Sequence, residues 1–596
     1  MPSYNAPLRD MRFVFHELHQ GAELTALPGF EEITADVIDA VLEEAGKLAG
    51  EVLAPLNGPG DAEGCTFENG VVRTPKGFKQ AYDLFREGGW TGIACGPAHG
   101  GQGLPVSINM LVEEMICAAN LSFGMYPGLT HGAYKAIDGY ASPELKDLYL
   151  PKLVEGSWSG TMCLTEPHCG TDLGLMRTRA IPQPDGSYQI TGTKIFISAG
   201  EHDLTENIIH LVLARLPDAP KGIKGISLFL VPKFLVREDG GLGARNGVSC
   251  GAIEHKMGIK ASSTCVMNFD GAQGWLVGAP HKGMRAMFTM MNAARLGVAV
   301  QGIGVAEASY QGAVAYARER LQGRSLSGAK APDKPADPLI VHPDIRRMLL
   351  TMRANIEGAR ALGAWVAKAL DIASTSPDAQ ARQDADDLVA LLTPVVKACF
   401  TDLGFDTANL GLQIFGGHGY IREHGMEQLV RDARITQIYE GANGIQALDL
   451  IGRKLPAHAG RLMRQFFHPV AALVAEKGED AALGPYVQPL GKAFARLQQA
   501  TLHIAQTGMA KPDEAGAAAT DYLRLFGLVA MAYMWARTAE IALPKAGTAE
   551  DPGGFYRAKL QTARFFFDRM LPESGARLSA ILAGGKAMMD FDEAWF

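Results

Sequence analysis

Cysteine is scarce in this chain. Its 596 residues hold eight, at positions 65, 95, 117, 163, 169, 250, 265 and 399, and no two form a Cys-x-x-Cys pair. That spacing argues against a zinc site and against a disulfide framework. Sparse free thiols fit a reducing compartment. Positive charge is also short: 56 Lys and Arg against 64 Asp and Glu leave a net charge of −8. A dedicated nucleic-acid binder needs a basic surface to neutralise phosphates, so that class is excluded. A small anionic ligand needs only a few local cations and backbone N–H groups. The longest apolar run, Leu525–Ala536, is too short for the roughly 20 residues of a bilayer span. The opening Met1–Asp10 is polar, carries two prolines and lacks the apolar centre of a signal peptide. These absences predict a soluble, cytoplasmic protein with no integral membrane segment. There is no internal repeat and no low-complexity tail.

What remains is the composition of a folded chain. Hydrophobic residues make up 47% and charged residues 20%, which excludes disorder as the dominant state. At about 150 residues per domain, the length suggests about three or four domains. From about 34 to 160 the texture is helical. Ile33–Leu53 has apolar residues at helical spacing with Thr34 as N-cap, and a further helix is expected over Ile108–Ala119 after the Gly-rich His99–Pro105 loop. Near residue 160 the texture changes. Thr191–Ser198, Ile208–Ala214, Gly225–Val231 and Val266–Asp270 are short, apolar and bounded by turn signals, which predicts a compact β domain. Helical texture returns at about 284 and breaks near Leu455-Pro456. A last Ala-rich helical block follows, with Pro485–Pro489 and Ala542–Gly554 read as connectors.

Five segments bear chemistry. Thr161–Asp172 opens from an apolar stretch into small and hydroxyl residues, so Gly170 and Thr171 offer N–H groups and a hydroxyl. Lys194-Ile195-Phe196-Ile197-Ser198 alternates as a strand does. Ala317–Arg324 ends a helix in cations, and Arg320 suits a pyrophosphate. Gln413–Tyr420 carries three glycines in four positions, which end a helix or let backbone approach a ligand. Arg431–Gln446 leads through an apolar Ile438-Tyr439 step to Glu440 and Gly441. Partial desolvation there would make Glu440 a usable base. Taken singly, the first three segments favour the bland alternatives of turn, strand and solvated helix end.

Together and in this order, the five resemble the motifs of the acyl-CoA dehydrogenase family, T-E-P-x-x-G-[ST]-D, K-x-[WF]-I-[ST], Y-A-x-x-R, Q-x-x-G-G-x-G and R-D-x-x-x-x-x-I-Y-E-G. The resemblance covers about 35–455. Tyr4–Phe13 resembles the extra N-terminal segment of a bacterial subgroup, which also has an extra C-terminal helical domain. The implied fold is multidomain α+β. An arm over 1–34 precedes an N-terminal α-helical domain (35–160) and a middle β domain (161–283). A four-helix-bundle domain (284–455) and the extra α-helical domain (461–596) follow.

The resemblance implies FAD-dependent α,β-dehydrogenation of an acyl-CoA thioester. Electrons would pass to electron-transfer flavoprotein, and the enzyme would be a homodimer. Glu440 matches the base that removes the Cα proton. Relatives that place the base on another helix have it one residue before Arg295, and Ala294 stands there. Arg295, Asn292 and Thr171 match substrate contacts. Met162, Leu164, Thr165, Gly170, Thr171, Phe196 and Ser198 match residues that line the flavin. Arg320, Gln413 and Gly417 match residues that reach the neighbouring subunit's cofactor, and Ile438, Tyr439 and Ala442 complete the site. Many relatives carry Thr where Ala442 stands. No metal and no G-x-G-x-x-G fingerprint are implied. The glycines within Gly124–Tyr140 would leave room for an acyl chain, medium to long or methylthio-substituted, while Met125, Tyr126 and Tyr134 could block one. An acyl-CoA oxidase would share these motifs, and a catalytically silent acyl-CoA binder would not need Glu440.

Overall fold

The computed structural model of the chain describes residues 3–508 and 510–596. It divides into two compact units. One comprises Glu44–Pro105 and Met115–Gly297, the other Met1–Glu43, Val106–Glu114 and Val298–Phe596. The chain passes between them inside helices Ala35–Lys47, Val106–Ala119 and Gly283–Glu319.

The first unit combines helices with a β core. A small hairpin, β1 (Thr66–Glu68) and β2 (Val71–Arg73), precedes helices Phe78–Glu87, Leu121–Tyr140 and Pro143–Glu155. A seven-stranded sheet follows: β3 (Trp158–Cys163), β4 (Arg179–Pro182), β5 (Tyr188–Ser198), β6 (Asn207–Arg215), β7 (Ile226–Pro232), β10 (Val248–Ile253) and β11 (Thr264–Val277). A second hairpin, β8 (Phe234–Val236) and β9 (Leu242–Arg245), interrupts it. The order is β10-β11-β5-β4-β6-β3, and β7 bridges β11 to β6. Strands β7 and β7's partner β6 are almost wholly buried, so they read as continuous Ile, Leu and Val runs rather than an alternation. β3 pairs parallel with β6 and is buried at all six positions. Its Gly160 lies against helix Leu121–Tyr140, where an added Cβ would stand 2.4 Å from the Ala133 methyl.

The second unit is helical. Helix Gly283–Glu319 runs into it, and helices Pro343–Thr375 and Ala379–Phe415 pack antiparallel across a one-turn connection. Ala313, Ala317, Met348, Met352 and Ile414 form one of its buried clusters. The 379–420 stretch is long and apolar enough to cross a membrane, with a mean hydropathy of 1.6, but 72% of that window is buried inside the protein. That is the signature of a core helix, whose apolar residues face packed side chains.

The added C-terminal segment includes helices Arg461–Lys477, Gly484–Gly508, Pro512–Ala542, Phe555–Phe565 and Glu573–Leu582, and the short helix Lys586–Met589. It seats directly on the two long helices. A Cβ at Gly527 would stand 2.1 Å from Cys399 Sγ, and one at Gly358 would stand 2.7 Å from Trp535 Nε1. Only glycine permits those approaches. Arg461 adds an ion pair to Asp387. One expectation fails here: Pro485–Pro489 is not a connector but the start of helix Gly484–Gly508. The first turn of a helix has no intrahelical partners for its N–H groups, so Pro485 costs little, whereas Pro489 lies inside the helix and forgoes one intrahelical bond.

Candidate active site

In the first unit the structure gathers the Thr161–Asp172 and Lys194–Ser198 segments on one rim. Strand β3 delivers the chain to Leu164, and Ile195 N–H donates to Thr165 O at 2.9 Å. Glu166 is the pin of this loop. Buried at 3% exposure, it accepts from Lys194 Nζ at 2.9 Å, the Thr178 hydroxyl at 2.6 Å and the Arg177 N–H at 2.7 Å. Lys194, fully buried, also donates to Leu164 O. Burial alone would push the Glu166 carboxyl up, but the Lys194 charge and these donors hold it at about 2. The loop then closes on itself through the Glu166–Cys169 backbone pair.

Pinning the loop from beneath leaves its other residues outward. Gly170 and Thr171 are exposed, and Leu164, Thr165 and Ser198 are half-buried. Phe196 is 61% exposed, although it sits in a strand. Its φ of 59° is a conformation that a bulky residue rarely adopts, at a cost of order 1–3 kcal/mol. Met162 differs from the rest, because its side chain packs into the core beneath. An exposed aromatic face beside hydroxyls and N–H groups suits a planar group with apolar faces and a polar edge. Glu166, His168 and Cys169 place three metal-capable atoms within 4.8 Å of one another. Both Glu166 oxygens already accept hydrogen bonds, so a cation there would have to displace the Lys194 ammonium. In the same unit, buried Arg295 donates to exposed Asn292 one turn earlier at 3.3 Å, and Ala294 offers no carboxylate.

In the second unit Glu440 lies on a short loop between the Ile435–Gln437 turn and helix Asn443–Asp449. Glu440 and Gly441 are consecutive left-handed residues, with φ of 56° and 86°. For a non-glycine residue that geometry costs roughly 1–2 kcal/mol. It persists only where the surroundings over-determine it, and here they do. Gln446 Nε2 donates to the carbonyls of both residues, at 3.2 and 3.1 Å. Lys397 Nζ donates to Gly441 O at 2.9 Å. Tyr439 is anchored through its hydroxyl to Gln301. Ile438 is exposed, and Glu440 and Ala442 are half-buried.

Arg320, Gln413 and Gly417 are all exposed and share one end of the second unit. Tyr316, one turn before Arg320, stacks on Phe415 at 4.0 Å and bonds to His418. The structure thus places the predicted cofactor residues, Met162 aside, on one rim in the first unit, and on the Glu440 loop and the Arg320 end in the second. Sequence reasoning missed Glu166, Lys194 and Lys397 as supports. A signal for Lys397 was present: a lone cation inside the apolar run Thr393–Phe400, which requires a buried partner.

The chain matches four family models in succession: "Acyl-CoA dehydrogenase, N-terminal domain" over 39–157, the middle domain over 161–272, the C-terminal domain over 281–455, and "Acetyl-CoA dehydrogenase C-terminal like" over 466–592. It is 44% identical to 3-methylmercaptopropionyl-CoA dehydrogenase of Ruegeria pomeroyi, across 98% of this chain and 99% of that one. The chain belongs to the acyl-CoA dehydrogenase family. It is an oxidoreductase of that family, whose cofactor is FAD. It is also 34% identical to a butyryl-CoA dehydrogenase of Syntrophomonas wolfei, across 100% and 99% of the two chains. In fold it is similar to the acyl-CoA dehydrogenase complexed with FAD from Bacillus anthracis, with a TM-score of 0.73 at 21% identity, covering 94% of this chain and 90% of that one. That coverage includes the added C-terminal segment, whereas the short-chain acyl-CoA dehydrogenase of Clostridium acetobutylicum matches only 61% of this chain.

Proposed function

We propose that this acyl-CoA dehydrogenase converts an acyl-CoA to its trans-2-enoyl-CoA with Glu440 as the base. The observation that carries this reading is the strained, doubly held Glu440-Gly441 pair, because left-handed carboxylates cluster where geometry serves chemistry. The Glu440 carboxylate takes the Cα proton. Bound FAD supplies the acceptor for the hydride that leaves Cβ. The rim of Thr165, Gly170, Thr171, Phe196 and Ser198 fits that cofactor, since it offers an aromatic face and polar edge groups on a loop that Glu166 and Lys194 keep rigid. By the family pattern, the thioester oxygen is met by the Glu440 backbone N–H, which stabilises the developing enolate as an oxyanion hole does. Arg295 and Asn292 orient the acyl-CoA. Arg320, Gln413 and Gly417 reach the cofactor of a second subunit in a homodimer, and electron-transfer flavoprotein is the acceptor.

For the substrate we favour a short acyl group of the 3-methylmercaptopropionyl class. Of the four glycines of helix Leu121–Tyr140, Gly124 and Gly132 are taken up by packing, whereas a Cβ at Gly128 or Gly139 would meet nothing within 4 Å. A Cβ at Gly124 would stand 3.1 Å from Cys117 Sγ, and one at Gly132 would stand 3.1 Å from Met290 Cγ. Tyr126 and Tyr134 are buried. The near relative of Ruegeria pomeroyi supports the same choice. Glu440→Gln tests the base: the variant should retain FAD and lose nearly all dehydrogenation, and wild-type turnover would move the base elsewhere. A kcat/KM series from methylthiopropionyl to dodecanoyl thioesters should fall with length, and a maximum at the long end would refute the short-chain choice. Near-stoichiometric hydrogen peroxide without a flavoprotein acceptor would make the enzyme an oxidase.

A further inference from the structure

The added C-terminal helices have no catalytic motif of their own, yet one of their charges reaches a carboxylate that holds the loop bearing Glu440. Asp402, on helix Ala379–Phe415, accepts from Gln437 Nε2 at 2.8 Å and from Asn443 Nδ2 at 2.7 Å through the same oxygen. Gln437 lies three residues before Glu440, and Asn443 three after. The other Asp402 oxygen faces Arg524 Nη2 at 3.5 Å, and Arg524 belongs to helix Pro512–Ala542 of the added segment. One turn earlier on the Asp402 helix is Lys397, fully buried. It donates to Gly441 O and to Asn443 Oδ1, both at 2.9 Å. Thr401 completes the cradle, since Asn443 Nδ2 donates to its hydroxyl at 3.0 Å.

We infer that the added domain positions the base, with Arg524 orienting Asp402 so that it grips both ends of the Glu440 loop while Lys397 holds the loop's middle. This rests on the reading of Glu440 as the base. The physical need is plain. Glu440 stands at φ 56°, whereas an unheld residue returns to the right-handed region near −60°. That turn swings the Cα–Cβ bond and carries the carboxylate away. A misplacement of about 1 Å at a reacting group costs of order 100-fold in rate. Two grips at the ends, from Asp402, and two at the carbonyls, from Lys397 and Gln446, prevent it. Asp402 is useful only while its second oxygen is fixed, because a carboxylate free to rotate would offer its two neighbours a changing acceptor. Arg524 supplies that restraint from the domain that shorter family members lack. Lys397, Asp402 and Arg524 are therefore positioning residues, acting through the backbone of 437–443 and not on the substrate.

The test compares Lys397→Met, Arg524→Gln and Arg524→Lys with Glu440→Gln in the FAD-loaded, full-length enzyme. Three quantities are read: kcat and KM with a short acyl-CoA, exchange of its Cα protons with D2O by mass spectrometry, and amide hydrogen exchange of peptides covering 435–446. Lys397→Met should lower kcat and Cα exchange by about 100-fold with KM nearly unchanged, and should speed amide exchange in the loop. Arg524→Gln should give a smaller loss in the same three readouts, of about fivefold to tenfold, and Arg524→Lys should restore it. Arg524 is 44% exposed at its side chain, so its replacement leaves the fold intact and decides the matter even if Lys397→Met does not fold. Wild-type kcat, Cα exchange and loop protection in Arg524→Gln would overturn the inference. If Glu440→Gln itself turns over normally, the base assignment falls. If Glu440→Gln is dead and Arg524→Gln is normal, only the positioning role falls.

Discussion

Replacing Asp10 with Asn should loosen the N-terminal segment from the rest of its unit. Asp10 stands in helix Leu8–Arg12, buried, between two cations from distant parts of the chain. Arg360 of helix Pro343–Thr375 pairs with it, and so does Lys559 of helix Phe555–Phe565. Arg360 also binds Glu114 and, at 2.7 Å, Glu307, while Lys559 binds Glu357 at 2.8 Å. Burial by itself would raise the Asp10 carboxyl, but Lys559 and Arg360 outweigh it and hold the group at about 2 against an ordinary 3.8. That difference corresponds to about 2 kcal/mol favouring the charged form. Removing one partner of a buried pair costs about 3–5 kcal/mol. Here Glu114, Glu307 and Glu357 remain to serve the two cations, so about 2–3 kcal/mol is expected. The assay is native-state amide exchange of peptides covering 8–18. At about 1.4 kcal/mol per decade, exchange should accelerate roughly 30- to 150-fold. Asp10→Asn, Lys559→Met and the double variant form a cycle whose coupling should be about 1–2 kcal/mol. The charged form is favoured in the folded state, so the contribution is complete above about pH 4 and is lost as pH falls from there toward 2. Unchanged exchange in Asp10→Asn, or strictly additive effects in the cycle, would refute the view that this carboxylate ties the ends of the chain together.

Three further outcomes follow from the site and its supports. Burial lowers His202 and His210 to about 3, so the unfolded chain binds their protons first, and stability should fall as pH drops from 6.5 toward 3. The slope should be up to about 3 kcal/mol per pH unit, and a melting temperature that is flat between pH 6.5 and 5 would contradict it. Gly441→Ala forces a Cβ to within 2.5 Å of Gln446 Nε2 at a φ of 86°. It should cost about 1–2 kcal/mol and lower kcat, and a variant with wild-type kcat would show that the Gln446 grip is dispensable. Lys194→Met strips Glu166 of its buried counter-charge, so thermal stability and flavin absorbance per chain should both fall, with a stability cost of about 3–5 kcal/mol. Full flavin retention would show that the rim does not depend on this pair.

Much of the site is legible in residue types and spacing. Through the family resemblance, Glu440 followed by glycine, and Ala294 where relatives with a displaced base need a carboxylate, point to one candidate base without any coordinates. The strands β5, β6, β7 and β11 announce themselves through Ile, Val, Leu and Phe. Strand β3 does not, because Trp158–Cys163 mixes Ser, Gly and Thr and becomes a strand through parallel pairing with β6 and close approach to Ala133. The glycines of helix Leu121–Tyr140 suggest open space, and the neighbours Cys117 and Met290 fill it at Gly124 and Gly132 but not at Gly128. Composition shows which groups are small; only packing shows what occupies the room they leave.

The family and its class of chemistry are therefore legible at the level of sequence, and so is Glu440 as the candidate base, since they depend on which functional groups occur and in what order. The tertiary structure alone decides how that base is held. Lys397, Asp402, Asn443 and Arg524 are far apart along the chain and converge on one loop, and Asp10 meets Lys559 across almost its whole length. Local periodicity records which face of an element is apolar, but it does not record which distant charge will lie against it. Burial makes those pairings obligatory, because a charge removed from water needs a partner within hydrogen-bond reach.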